Sequence, residues 1–172
     1  LLVGMHAMGG TQGANLPHSK WVLNGGEVYL SEGSMAAALA GYYGVKTIFV
    51  SGDQFIIGEL KRKIPGIEIA LVKKALGPYF ARSKTPKVAQ QLIYDGVCKA
   101  IKREADIAPF LLKPPFRLNL LDSQNHIPPL VQVLAKDVEG ENIVDAFNKA
   151  VNSFSWNNFG LMDVDGFIYC GK

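Results

Sequence analysis

Val45-Lys46-Thr47-Ile48-Phe49-Val50-Ser51-Gly52-Asp53 is the stretch that decides the fold. Its first six residues are mostly apolar and rich in β-branched side chains, as in an inner strand of a parallel sheet covered on both faces. Ser51-Gly52 ends the run, and Asp53 stands where a helix N-cap is needed. The helix that follows turns Phe55, Ile56, Ile57 and Leu60 inward. Lys61, Arg62 and Lys63 close it, where the helix dipole favours cations, so they read as dipole partners rather than ligand groups. Pro65-Gly66 breaks the pattern and Ile67 to Val72 forms a second strand. Strand, helix and strand at this spacing make a βαβ unit.

Upstream of this unit, Met35, Ala36, Leu39, Ala40 and Tyr43 recur at helical spacing from Ser31 onward, with Gly44 as C-cap. Val22 to Leu30 reads as a hairpin around Asn24-Gly25-Gly26. Leu1 to Ala7 reads as a buried apolar strand leading into a glycine-rich loop. Since a domain seldom starts inside a strand and no methionine opens the chain, the expectation is that further sequence lies upstream.

Downstream, Thr85-Pro86 starts the longest helix, whose stripe is Val88, Leu92, Ile93, Val97, Ala100 and Ile101, fading near Asp106. Phe116 to Leu120 alternates like a strand that is half-buried or near an edge, and Val131 to Leu134 is a weaker strand. Glu141 to Phe154 is a helix facing Ile143, Val144, Phe147 and Val151 inward. A turn at Asp163-Val164-Asp165-Gly166 then precedes a short strand, Phe167 to Tyr169. The class is α/β: a layered fold with a largely parallel sheet flanked by helices and a less regular C-terminal region. Residues 1–107 form the core part carrying the candidate site, and residues 108–172 a C-terminal α/β part that reads as a second subdomain.

Composition removes several classes. At 172 residues, 48% hydrophobic and 19% charged, the chain is neither disordered nor an acidic tail. Such a length buries about two thirds of its unfolded surface, so no staple is required. No run approaches the roughly 18 apolar residues of a membrane span. A net charge of +3 is too mild to argue for nucleic acid. Cys98 and Cys170 form no CxxC pair and read as reduced thiols of a cytoplasmic protein.

The chemistry concentrates in three residues. His6 lies at the C-terminal end of the first strand, where open α/β sheets bind ligands. His18 follows in the glycine-rich loop, and Glu32 opens the alanine-rich helix. Imidazole and carboxylate from separate elements are ligand types that a zinc-like ion accepts, with His18 as proton donor or transition-state stabiliser. Read singly, each has an ordinary role as a core, capping or dipole residue. His126, in Asn125-His126-Ile127-Pro128, reads as a surface turn. Asp163 and Asp165 lack the closing glutamate of a calcium loop. No nucleophile elbow, Walker loop or HExxH helix occurs.

At these residues the chain resembles the zinc-dependent D-aminopeptidases associated with dipeptide-transport operons. Gly4-Met5-His6-Ala7 is similar to the family's Gly-Tyr-His-Ala, and Pro17-His18-Ser19 to its Ser-His-Ser or Ser-His-Thr. Leu23-Asn24-Gly25 with Ser31-Glu32-Gly33 is similar to its Asn-Gly hairpin and Gly-Glu-x-x-x-Asn-Ala, although the Asn-Ala pair is not kept. Ala40 to Val45, Val50 to Asp53, Val72-Lys73 and Ala81-Arg82-Ser83 follow in the same order. The resemblance is good to about residue 105 and then fades.

It implies a metallo-aminopeptidase that removes N-terminal D-amino acids from short peptides by a metal-activated water, at a site holding two zinc ions. His6 and Glu32 correspond to metal ligands and His18 to the catalytic histidine. The family's remaining ligands, in an Asp-x-Glu strand and a further histidine, lie upstream of the part matched here. Ring-like homodecamers are the implied assembly, with peptide as the partner and neither nucleic acid nor membrane. The alternatives are a metal-dependent amidohydrolase acting on another small amide, and a non-catalytic binding or scaffold protein on the same fold.

Overall fold

The computed structural model describes residues 1–122 and 132–153. His126, Cys170, Asp163, Asp165 and the strand expected at Phe167 to Tyr169 lie outside them. The βαβ unit forms as expected: β4 (Phe49–Gly52), α2 (Gln54–Lys63) and β5 (Glu68–Leu71). With β1 (Leu2–Met5) these strands make a parallel sheet in the order β1-β4-β5. Alternation along β4 sends Phe49 to one face and Val50 to the other. Phe49 packs with Ala70 and Ala100 under α3 (Pro86–Lys102). Val50 packs with Ile56, Leu60 and Ile67 on the side of α2. All four β4 residues are buried, as an inner parallel strand requires.

The strand begins later than its apolar run because Val45 is used elsewhere. Helix α1 (Glu32–Tyr42) ends with the Val45 N–H donating to Ala40 O and the Gly44 N–H to Gly41 O, with Gly44 left-handed. That pair of bonds is a Schellman closure. Val45 is therefore solvent-exposed rather than in the sheet.

A second sheet is antiparallel, in the order β3-β2-β8-β9. It comprises β2 (Lys20–Leu23), β3 (Val28–Leu30), β8 (Phe116–Asp122) and β9 (Gln132–Gly140). Asn24-Gly25-Gly26 turns β2 into β3 with all three residues at positive φ, which glycine and asparagine tolerate best. β8 was expected to be half-buried or near an edge. It is half-buried, with Leu118 and Leu120 in the core and Arg117 exposed, but it runs between β2 and β9 rather than at an edge. Among the named strands of the described residues, parallel pairing is confined to β1, β4 and β5, and the described C-terminal segment joins the fold through an antiparallel sheet. Helix α4 (Ile143–Asn152) covers this sheet through Ala146 and Ala150.

Helix α1 lies between the two halves. Ala37 belongs to the core around the parallel sheet, while Met35 packs with Trp21, Leu23 and Leu118 in the core of the antiparallel one. A helix covered on several sides needs no polar face, and the alanine and glycine content lets neighbours approach. At Gly41 a Cβ would fall 2.1 Å from Phe110 O.

Three further differences stand out. A hairpin of β6 (Lys73–Gly77) and β7 (Phe80–Ser83) has no counterpart in the sequence reading. On α3, Val88, Leu92 and Ile101 are exposed, because Ile93, Gly96, Val97 and Ala100 meet the sheet instead. β1 was expected to be buried, yet Leu1 and Val3 are exposed; among the described residues the strand lies at the edge of its sheet, paired with β4.

Candidate metal centre

His6 follows β1 directly. β1 and β4 run parallel with Met5 opposite Gly52, so His6 emerges at the carboxyl edge of the sheet, beside the start of α2. The register demands glycine there: a Cβ on Gly52 would lie 2.5 Å from Met5 O. Asp53 Oδ1 accepts the N–H groups of Phe55 and Ile56, which caps α2 and fixes this corner.

The loop from Ala7 to Ser19 returns His18 to His6. Met8 and His18 form a parallel bridge, and the Gly9 N–H donates to Ser19 O. The β6–β7 turn supports the loop from outside, where Pro78 O accepts both the Leu16 N–H and the Asn15 Nδ2 amide. Leu16 and Ser19, flanking the Pro17-His18 pair, are both left-handed, with φ of 48° and 54°. Non-glycine residues held there carry backbone strain of about 1–3 kcal/mol each, a cost that collects at functional sites.

Glu32 is the first residue of α1. Ser31 caps the helix by accepting the Ser34 N–H. Behind it, the buried Glu59 of α2 accepts the Ser31 N–H at 3.2 Å and the Ser34 hydroxyl at 2.6 Å through one oxygen, Oε1. The residues on either side of Glu32 are therefore tied to a neighbouring helix.

These three elements bring His6, His18 and Glu32 together. His6 Nε2 is 3.1 Å from Glu32 Oε2, and His18 Nε2 is 3.7 Å from Glu32 Oε1. The imidazole rings stack with centroids 3.7 Å apart. One donor atom from each residue lies within 4.8 Å of the others. Each histidine donates its Nδ1 proton to a backbone carbonyl, His6 to Ala7 and His18 to Leu16, both at 2.8 Å. Both Nε2 atoms consequently face the carboxylate. A backbone carbonyl on the far nitrogen is the arrangement that orients metal-binding histidines. An imidazole nitrogen and a carboxylate oxygen are donor types of a zinc-like ion, and a second imidazole stands beside them, so the residues present fit part of a metal site.

Without a metal the cluster is a charge-coupled pair. Burial opposes a charge on His6, but its hydrogen bonds to Glu32 and the Ala7 carbonyl outweigh that and raise its pKa above 6.5. The His6 hydrogen bond, opposed by burial and assisted by Ser19, holds Glu32 at about 2.

The cluster opens into a cleft of about 520 Å³ between α1, α4 and the antiparallel sheet. His18, Ser19, Glu32 and Asp122 form its polar end. Trp21, Met35, Leu39, Leu120, Phe147 and Val151 supply most of its apolar wall. Sequence reasoning missed Asp122, whose Oδ1 accepts the Ser19 N–H at 3.0 Å. Its signal lay in the strand pattern: β8 pairs Leu121 with Lys20, which carries its next residue to the histidine loop.

A family model for D-aminopeptidase, peptidase family M55, matches residues 1–140. The chain belongs to the D-aminopeptidase family. Within that family, the D-aminopeptidase of Bacillus subtilis (strain 168) is 28% identical over 122 residues, which is 68% of this chain and 43% of that protein. A solved structure, described as a zinc-dependent D-aminopeptidase from Bacillus subtilis and a self-compartmentalizing protease, shares the fold with a TM-score of 0.71. At 20% identity it covers 87% of this chain and 60% of that one. The chain thus spans less than half the length of its curated relative. The α/β class and the family resemblance read from the sequence both stand.

Proposed function

We propose that the chain carries part of the active site of a zinc-dependent aminopeptidase that releases N-terminal D-amino acids from short peptides. The observation that carries this reading is the convergence of both imidazole Nε2 atoms on Glu32. His6, the more buried histidine at 16% side-chain exposure and the closer to the carboxylate, holds the metal with Glu32. His18, 32% exposed and farther from Glu32, is the catalytic histidine. Zinc bound here would act as a Lewis acid on the scissile carbonyl and activate water near neutral pH.

The chain's own residues do the rest. The Ala7 carbonyl keeps the His6 proton on Nδ1, which leaves Nε2 free to ligate. The Leu16 carbonyl orients His18 in the same way, so its Nε2 can carry the proton that stabilises the developing oxyanion or passes to the leaving amine. The apolar cleft wall limits water beside these groups and strengthens their interactions. The proposed assembly is a homo-oligomer, in keeping with the self-compartmentalizing relative.

The test is release of D-alanine from D-Ala-D-Ala by the purified protein. Release should cease with a chelator and return with zinc, and L-Ala-L-Ala should be cleaved far more slowly. Absence of both zinc and chelator-sensitive release would return the chain to the scaffold alternative.

A further inference from the structure

We infer that the cleft beside the metal centre is a specificity site for a large apolar side chain on the substrate residue next to the scissile bond. The inference rests on the aminopeptidase reading and extends it to substrate class. His18 and Glu32 form one end of the cleft, so a peptide whose reacting carbonyl sits at the cluster has its neighbouring side chain within reach of the walls. Those walls are aliphatic and aromatic and come from five separate elements, β2, α1, β8, β9 and α4. Trp21 stands on β2 with its ring 5.1 Å from that of Phe147 on α4, and Met35 and Leu39 project from α1.

At about 520 Å³ the space exceeds what the methyl group of alanine occupies, and it falls in the size range of small-ligand sites. The polar groups stand at the catalytic end, while the described walls beyond are apolar. That division selects a side chain that is itself apolar. Ala36, partly buried on α1, is the small wall residue that keeps the cleft open. In an apolar pocket one methylene changes kcat/KM by about 10–200-fold. A leucine or phenylalanine side chain should therefore exceed alanine by at least about tenfold.

The experiment compares kcat/KM of the zinc-loaded protein on D-Ala, D-Leu and D-Phe residues placed on either side of the scissile bond, in wild type and Ala36→Phe. At one of the two positions leucine or phenylalanine should be preferred over alanine by tenfold or more. Ala36→Phe should lower that preference by a similar factor with zinc content maintained. Hydrolysis with no size preference, or a preference that Ala36→Phe leaves intact, overturns the inference and leaves the aminopeptidase reading standing. A change of assembly mass in Ala36→Phe with an unchanged preference assigns the cleft to a second copy of the chain, and also overturns it. If no peptide is cleaved, tryptophan fluorescence of Trp156→Phe protein, which leaves Trp21 as the single tryptophan, decides: saturable quenching by D-leucine amide, absent with D-alanine amide and on adding Ala36→Phe, supports the cleft while the peptidase reading fails. No quenching removes both.

Discussion

His6 and His18 have the same chemistry and similar surroundings, yet the account gives them different work. His6→Ala removes the donor nearest Glu32 and should lower zinc occupancy. His18→Ala should leave zinc bound while reducing kcat by about 10²–10⁴, the usual worth of a positioned proton-transfer group. Metal analysis beside turnover checks this, and equal loss of zinc in both variants would remove the catalytic role of His18. The pair also sets a pH profile. Glu32 is depressed to about 2 from 4.5, so its share of stability is present above 4.5 and lost as the pH falls toward 2. His6 is raised above 6.5, so its share is full below 6.5 and lost as the pH rises through the raised value. Thermal melts of chelated protein should therefore peak between about 4.5 and 6.5. Zinc has the opposite preference, because it must displace the His6 proton. Its apparent affinity should fall about tenfold per pH unit below that raised pKa, measurable by competition titration. The three residues were legible singly in the sequence, as a histidine after a strand, another in a glycine-rich loop and a glutamate opening a helix. Their grouping into one site came from the family resemblance rather than from local pattern, because their convergence depends on left-handed Leu16 and Ser19 and on Pro78, all set by tertiary contacts.

At the scale of elements, the start of α1 governs the site more than its length does. Glu59 holds the Ser31 N–H and the Ser34 hydroxyl on either side of Glu32. Glu59→Ala strands the buried Ser31 N–H, although Ser34 retains the Ser31 carbonyl as an acceptor. The expected cost is about 1–3 kcal/mol of stability, with weaker zinc binding, and Glu59→Gln should recover most of both. Denaturant melts and zinc titration of the two variants measure this; unaltered zinc affinity in Glu59→Ala would separate the helix cap from the metal centre. The helices and the β4–α2–β5 unit could be read from periodicity and caps because those signals are local. Ser31, Asp53, Thr85 and Gly44 all stand at helix ends. β6 and β7 escaped because their partners are each other across Gly77-Pro78-Tyr79, with most of the hairpin exposed, so no apolar alternation marks them. The alternation of β8 marked it as half-buried or near an edge and could not separate the two, because its flanking partners, β2 and β9, are invisible in its own pattern.

Across the whole molecule, α1 links two sheets of different kind, and the candidate metal centre sits where they meet. His6 comes from the parallel half, His18 from the loop leading into the antiparallel half, and Glu32 from the helix between them. Loosening the packing of α1 should therefore disturb metal binding from a distance. Gly41→Leu would drive a side chain into Phe110 O. Overpacking of this kind costs about 1–3 kcal/mol, and the variant should melt earlier and hold zinc less tightly than wild type. The central claim, that His6 and Glu32 are metal ligands and His18 is not, is tested most directly by equilibrium zinc titration of wild type, His6→Ala, Glu32→Gln and His18→Ala at one pH above neutrality. The account predicts affinity losses of 100-fold or more for His6→Ala and Glu32→Gln, and less than tenfold for His18→Ala. Wild-type affinity in His6→Ala or Glu32→Gln would contradict it.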